Sequence, residues 1–472
     1  MLENAHLEKL HAIAGPKGAT QDGALIAPHL REWRDKFNGQ TPLMLMPQNT
    51  KTAAELIAYC HAHHIAVVPQ GGNTGLVGGG IPGLEGRSEV LLSTRRMTDT
   101  CLVDADDFSI TASAGCNIAT LQAAAAEHGL LFPLSLASEG SCTVGGVVST
   151  NAGGIHVLRY GTTRALTLGV EAVLPTGTVV NELTALRKNN TGYNLSQLLI
   201  GAEGTLGIIT KATFKLFPKE AQKHPCLLAV SSPEQALKLL ASARRASGDR
   251  VSAFELMPRI GLDFVLRHIP GTSDPLGAPY PWYVLTEIAT SKPDPALEAD
   301  ISSWLEAELE SGNILDGAVA TSLKQADGFW KLRESMSEAQ KLEGGSIKHD
   351  IAVPVSRVPA FLEKATRAVQ NFSPEARLVA FGHLGDGNIH FNVMQPADGN
   401  KNAFLSTWEE MNALVHDVVM EFGGSISAEH GIGTLKKNEL SRLKPVAELD
   451  TMRAIKAALD PHNIMNPGCL FT

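Results

Sequence analysis

Six of the ten residues from Gly71 to Gly80 are glycine, and they follow directly on the apolar run Ile65-Ala-Val-Val68. No ordinary core segment is built this way. Without Cβ atoms the backbone can take positive φ and lie against a ligand, and successive N–H groups can turn inward as a nest for an anion. A flexible linker of comparable glycine content would carry more Ser and would not emerge from a β-branched strand. The spacing also excludes the two commonest phosphate loops. No Gly-x-Gly-x-x-Gly opens a helix, and no Lys closes the segment, which runs instead into Ile81-Pro82-Gly83. The expectation is a loop that holds a diphosphate with backbone alone, entered from a helix over 52–64 and a strand over 65–68.

The chain has 472 residues, which predicts two or three domains and ample material for a buried cofactor. Forty basic residues against 49 acidic ones give a net charge of −9, and no Lys/Arg run stands out. This argues against nucleic acid or an anionic membrane as partner, so an anionic substrate must be met by a few local cations. Six cysteines are scattered without Cys-x-x-Cys spacing, as suits reduced thiols. Acidic residues near the N-terminus and the absence of an apolar stretch of about 18 residues predict a soluble, cytoplasmic protein. Cys60-His-Ala-His-His64 invites a metal assignment, but a helix end favours exposed cationic side chains without one.

A second small-residue tract, Leu136 to Gly154, offers Ser138, Ser141, Thr143, Ser149 and Thr150 beside five glycines. A flat polar ligand could lie on its main chain; tight strand packing is the competing reading. Residues 165–180 read as a hairpin turning on Pro175-Thr-Gly177, and 192–210 as a short helix, a glycine turn and a strand. A boundary falls near 218–222. Beyond it, helices at 233–246 and 296–311 alternate with strands near 226–231, 282–289, 349–353, 378–384 and 389–394, as for helices on an antiparallel sheet. The tail from 425 ends in a helix over 446–459.

The sharpest constellation is Leu378 to Met394, containing Phe381-Gly-His-Leu-Gly-Asp-Gly-Asn-Ile-His390. Two strands around the loop Gly385-Asp-Gly-Asn388 would pair Leu384 with Ile389 and set His383 opposite His390, close enough to ligate one divalent ion. Asn392 projects to the same side. Such a pair serves structure as readily as chemistry. Ser425-Ile-Ser-Ala-Glu-His-Gly-Ile-Gly433 offers a third ligand in Glu429, with His430 beside it. Two His and one Glu with an open position make a catalytic metal site, for zinc first and manganese or cobalt otherwise. Arg333, on a predicted helix with Ser337, and Lys348 are the cations able to receive a carboxylate.

These segments, with Arg187-Lys-Asn-Asn-Thr-Gly-Tyr193 and Ile200-Gly-Ala-Glu-Gly-Thr-Leu-Gly-Ile-Ile-Thr210, resemble the FAD-linked D-2-hydroxyacid dehydrogenases over residues 40–470. Within that family the D-2-hydroxyglutarate dehydrogenases are the most similar group. The resemblance implies an α+β chain: a vanillyl-alcohol oxidase or PCMH-type FAD-binding domain over 1–220, an antiparallel-sheet cap domain for substrate over 221–424, and a C-terminal helical segment over 425–472 that contributes to the active site and packs on the FAD domain. It implies dissociable FAD held by Pro69, Gly71, Gly72, Asn73, Thr74, Gly75 and Leu76, and by Ser138, Gly140, Thr143, Gly145, Gly146, Ser149, Asn151, Ala152 and Gly154, with Glu203, Ile209 and Asn466 nearby. The metal would sit on His383, His390 and Glu429. Substrate would meet Arg333, Ser337, Lys348, Asn392 and His430, with His430 also the general base for hydride transfer to the flavin. Ser337 keeps the hydroxyl of the Thr found in human-type relatives but not its methyl. D-lactate, glycolate and D-malate are the rival substrates, and a flavin-free zinc hydrolase or a non-catalytic FAD-binding subunit the rival classes. The reduced flavin would pass electrons to an electron-transfer flavoprotein or a quinone, and a homodimer is compatible with the sequence.

Overall fold

The computed structural model describes residues 2–471, which divide into two compact units. Among the described residues the first comprises 2–154, 161–219 and 429–471; the second comprises 155–160 and 220–428. Residues 155–160 and 425–428 thus fall in the second unit, although the sequence suggested breaks at 220/221 and 424/425.

Two sheets organise the first unit. The strands Ala19–Thr20, Met44–Leu45, Glu89–Ser93 and Ala66–Gln70 lie in that order, the last two pairs parallel. The helix Thr50–Ala62 is capped by the Asn49 side chain, which accepts from the Thr52 N–H. It buries Ala53, Leu56, Ile57 and Cys60, so one apolar stripe fixes where Ala66–Gln70 starts and the glycine loop leaves. The second sheet is antiparallel, ordered Cys101–Asp104, Ser109–Ser113, Ile208–Lys215, Thr167–Val173 and Val179–Asn181. Its last two strands turn at Gly177, whose φ of +83° suits glycine. The 136–154 tract is not a strand stack: within it Val144–Thr150 is a helix ending at Asn151 in the left-handed region.

A seven-stranded antiparallel sheet spans the second unit, in the order Asp316–Val319, Gln222–Val230, Trp282–Thr290, Val251–Pro258, Arg377–His383, Asn388–Met394, Ser346–Ala352. Helices Pro233–Ala246 and Val358–Phe372 pack on the face that holds Leu256, Ala380, Ile389 and Phe391. The other face holds Met257, Val379, Phe381 and Met394 against Leu262, Phe329, Leu332 and Met336. The strand Val251–Pro258 was not expected, because burial of all eight residues erases the alternation that marks a half-exposed strand. All six cysteines are free, and no helix among the described residues is long and apolar enough to cross a membrane.

Candidate active site

In the first unit the glycine loop, the 136–154 tract and the loop from Glu429 line a cleft of about 540 Å³. That lies within the range of roughly 300–1,000 Å³ typical of cofactor pockets. Of the residues expected to hold FAD, Pro69, Gly71 to Leu76, Ser138, Thr143, Gly145, Gly146, Ser149, Ala152, Glu203 and Ile209 line it. Gly140, Asn151, Gly154 and Asn466 are not in the lining. Asn151 accepts from the Arg164 N–H, and Asn466 Nδ2 donates to the carbonyls of Gly79 and Glu203, so both brace the wall. The rest of the glycine loop, Val77–Ile81, also lines the cleft, as does exposed Trp33, with nothing in its local sequence to announce it.

The fit to a dinucleotide can be tested on the walls. A Cβ on Gly72 would meet the Ser141 carbonyl oxygen at 2.1 Å, whereas one on Gly75 would meet nothing within 4 Å and so marks open space. Thr143 Oγ1 is buried in the lining and finds no hydrogen-bond partner among the described residues. A polar ligand would satisfy it. The donor set suits a diphosphate bound by backbone.

Glu429 and His430 stand in the same lining, on a loop held from below. Glu203, itself at φ +52°, takes the N–H groups of Ile432 and Gly433 on its two carboxylate oxygens at 2.8 and 2.7 Å. Burial pushes its carboxyl above the usual range despite these donors. Both oxygens of Glu203 are therefore committed to the loop that carries His430.

The second unit gathers the remaining polar residues on one sheet face. His383 pairs with Asn388, and His390 with Phe381, so the hairpin register differs from the expected one. The turn is Leu384–Gly387, closed by N–H groups of Asp386 and Gly387 on the His383 carbonyl. The shift is by two residues in partner, an even number, so both imidazoles keep the same face as diagonal neighbours. Their ring centroids are 5.8 Å apart at 74°. The next strand, Ser346–Ala352, sets Asp350 beside His390 and Lys348 beside Asn392. Arg333 is only 8% exposed, stacks over Phe381 at 4.8 Å and forms an ion pair with Glu255. Ser337, one turn further along, is exposed.

Asn392 is oriented by a relay. Gln340 Nε2 donates to the Met336 carbonyl, which turns Gln340 Oε1 to Asn392 Nδ2 at 2.9 Å. Asn392 Oδ1 is then left buried without a partner among the described residues, an acceptor suited to a ligand hydroxyl. Sequence reading missed Glu255, Asp350 and Gln340. A lone acid inside the apolar stretch Val251–Pro258 was the available signal for Glu255. Burial alone would raise the Glu255 carboxyl, but His383 and Arg333 beside it hold it down to about 2. Asp386, in the turn, is pushed up to about 6 by burial against the pull of His383.

Residues 220–470 match the family described as FAD linked oxidases, C-terminal domain, and residues 42–182 match an FAD binding domain. The D-2-hydroxyglutarate dehydrogenase of Bos taurus, named as mitochondrial, is 37% identical over 462 residues, covering 98% of this chain and 82% of its own. The chain belongs to the FAD-linked D-2-hydroxyacid dehydrogenase family. Relatives bearing the same enzyme name in Arabidopsis thaliana (mitochondrial) and Xanthomonas citri are 35% and 36% identical. They cover 99% and 93% of this chain and 81% and 91% of their own lengths. Among solved structures, p-cresol methylhydroxylase superposes with a TM-score of 0.75 at 15% identity, covering 98% of this chain and 96% of its own, and places the fold among PCMH-type flavoproteins. The protein is therefore an FAD-dependent dehydrogenase of α+β fold, and the flavin-free hydrolase reading falls.

Proposed function

We propose that this dehydrogenase oxidises D-2-hydroxyglutarate to 2-oxoglutarate with help from a divalent cation, zinc before manganese or cobalt. The observation that carries the reading is the sheet face bearing Lys348, Asn392, His383 and His390, with Arg333 brought to it by the helix Leu323–Glu334: two cations for a dicarboxylate beside two imidazoles for a metal. The cation would be held by His383, His390 and Glu429. Supporting this, Ala428 donates its N–H to the Asp350 carbonyl, Asp350 pairs with His390, and one peptide bond separates Ala428 from Glu429.

A divalent cation supplies Lewis acidity that lowers an alcohol's pKa, and FAD supplies the two-electron sink, held by the cleft residues of the glycine loop and the 136–154 tract. The chain's own residues do the rest. Arg333 and Lys348 receive carboxylate charge and restrict the substrate's orientation, Ser337 offers a hydroxyl, and Asn392 adds a polar contact beside Lys348. His430, in the cleft lining, takes the hydroxyl proton on its imidazole. Electrons then leave to an electron-transfer flavoprotein or a quinone. Six free thiols support a reducing compartment, in keeping with a cytoplasmic enzyme.

Anaerobic flavin bleaching with D-2-hydroxyglutarate, D-malate, D-lactate and glycolate tests the substrate. The dicarboxylates should bleach fastest, D-2-hydroxyglutarate above all. A chain fastest on D-lactate would move the assignment to the lactate branch of the family.

A further inference from the structure

We infer that Glu255 is a positioning residue for this reaction, its two carboxylate oxygens fixing the tautomer of His383 and the attitude of Arg333 at once. Glu255 is fully buried on the strand Val251–Pro258, directly opposite His383 across the sheet. Oε1 lies 2.6 Å from His383 Nδ1. Oε2 accepts from Arg333 Nε at 2.8 Å and Nη2 at 2.7 Å.

A carboxylate can only accept, so the ring proton of neutral His383 must sit on Nδ1. The lone pair is then on Nε2, the atom left to hold a cation. On the other oxygen, Nε and one Nη2 hydrogen of Arg333 are consumed. Nη1 and the second Nη2 hydrogen remain for a substrate carboxylate, and the Phe381 ring beneath the guanidinium limits its tilt. One buried acid thus prepares both a ligand imidazole and a substrate-binding cation. A residue that merely neutralised Arg333 would need no bond to His383.

The inference rests on the roles proposed for His383 and Arg333, and the substitution E255Q separates it from them. Two Arg333 donors require the side-chain amide oxygen of the E255Q variant to face the guanidinium, which turns the NH2 toward His383. His383 Nδ1 must then accept, and the proton moves to Nε2. In ¹⁵N-histidine NMR of the metal-stripped, FAD-loaded protein, with the resonance assigned by loss in H383Q, wild type should show His383 protonated at Nδ1 and E255Q at Nε2. Affinity for Co²⁺, read from its visible spectrum, should fall by about 10–100-fold in E255Q and recover largely in E255D. Wild-type His383 found protonated at Nε2 overturns the inference without any variant. So does an E255Q protein that keeps the Nδ1 proton and binds Co²⁺ as tightly as wild type. If wild type binds no divalent cation at all, the metal reading fails, while the tautomer of His383 still decides for or against Glu255.

Discussion

Single side chains carry the sharpest consequences, beginning with His430. It lines the flavin cleft on a loop whose next two N–H donors, after Gly431, are gripped by Glu203, so replacing the imidazole leaves the loop's anchor intact. His430→Ala should keep its yellow colour and lose turnover by about 10²-fold or more, as for removal of a general base. A flavin-loaded variant with near-normal turnover rejects the role. Glu343 gives a pH signature. Although burial alone would raise its carboxyl, His268, Arg377 and Arg267, at 2.7, 2.6 and 2.5 Å, hold it down to about 2. A depressed acid stabilises the fold fully above its unfolded pKa of about 4.3 and loses that contribution as pH falls through its folded value. Wild-type thermal stability should therefore drop between about pH 4.3 and 2, and Glu343→Gln should flatten that limb; parallel curves would remove Glu343 as its cause. That His383 and His390 share one sheet face was legible in sequence, because the two-residue period of a strand sets it locally. Glu255 was not, since its importance lies wholly in partners 78 and 128 positions away.

At the scale of elements, the glycine loop was legible because composition alone restricts what its backbone can do. Its exacting position is Gly72, where the chain passes so near Ser141 that a methyl group has no room. Gly72→Ala should accumulate as folded protein with sharply reduced flavin content, measured as the ratio of visible to ultraviolet absorbance; full flavin occupancy would show that the loop can move aside. The His383 hairpin teaches a different lesson. Its strands were evident from alternation, but the turn closed one residue earlier than expected. Gly387, at φ +84° and packed where a Cβ would meet the Val353 carbonyl at 2.1 Å, sits at the last turn position instead of the third. Faces survived the error because the change in partner was even, whereas an odd one would have sent His390 into the opposite core.

For the molecule as a whole, the residues proposed to hold the metal and those lining the flavin cleft are largely separate sets, sharing Glu429. Chelation should consequently abolish turnover while FAD stays bound, with one divalent ion per chain before treatment. Full activity in a metal-free preparation would count against the His–His–Glu assignment. The sequence by itself determined the backbone cradle, the presence of an antiparallel sheet and the imidazoles on one of its faces. These follow from local rules, glycine's missing Cβ and the two-residue period of a strand, which need no knowledge of distant chain. Only the tertiary structure decided that Val251–Pro258 lies at the middle of that sheet and that its buried acid meets Arg333 and His383. Those outcomes depend on which strands become neighbours, a long-range choice set by total burial and hydrogen-bond pairing and recorded in no short stretch of residues.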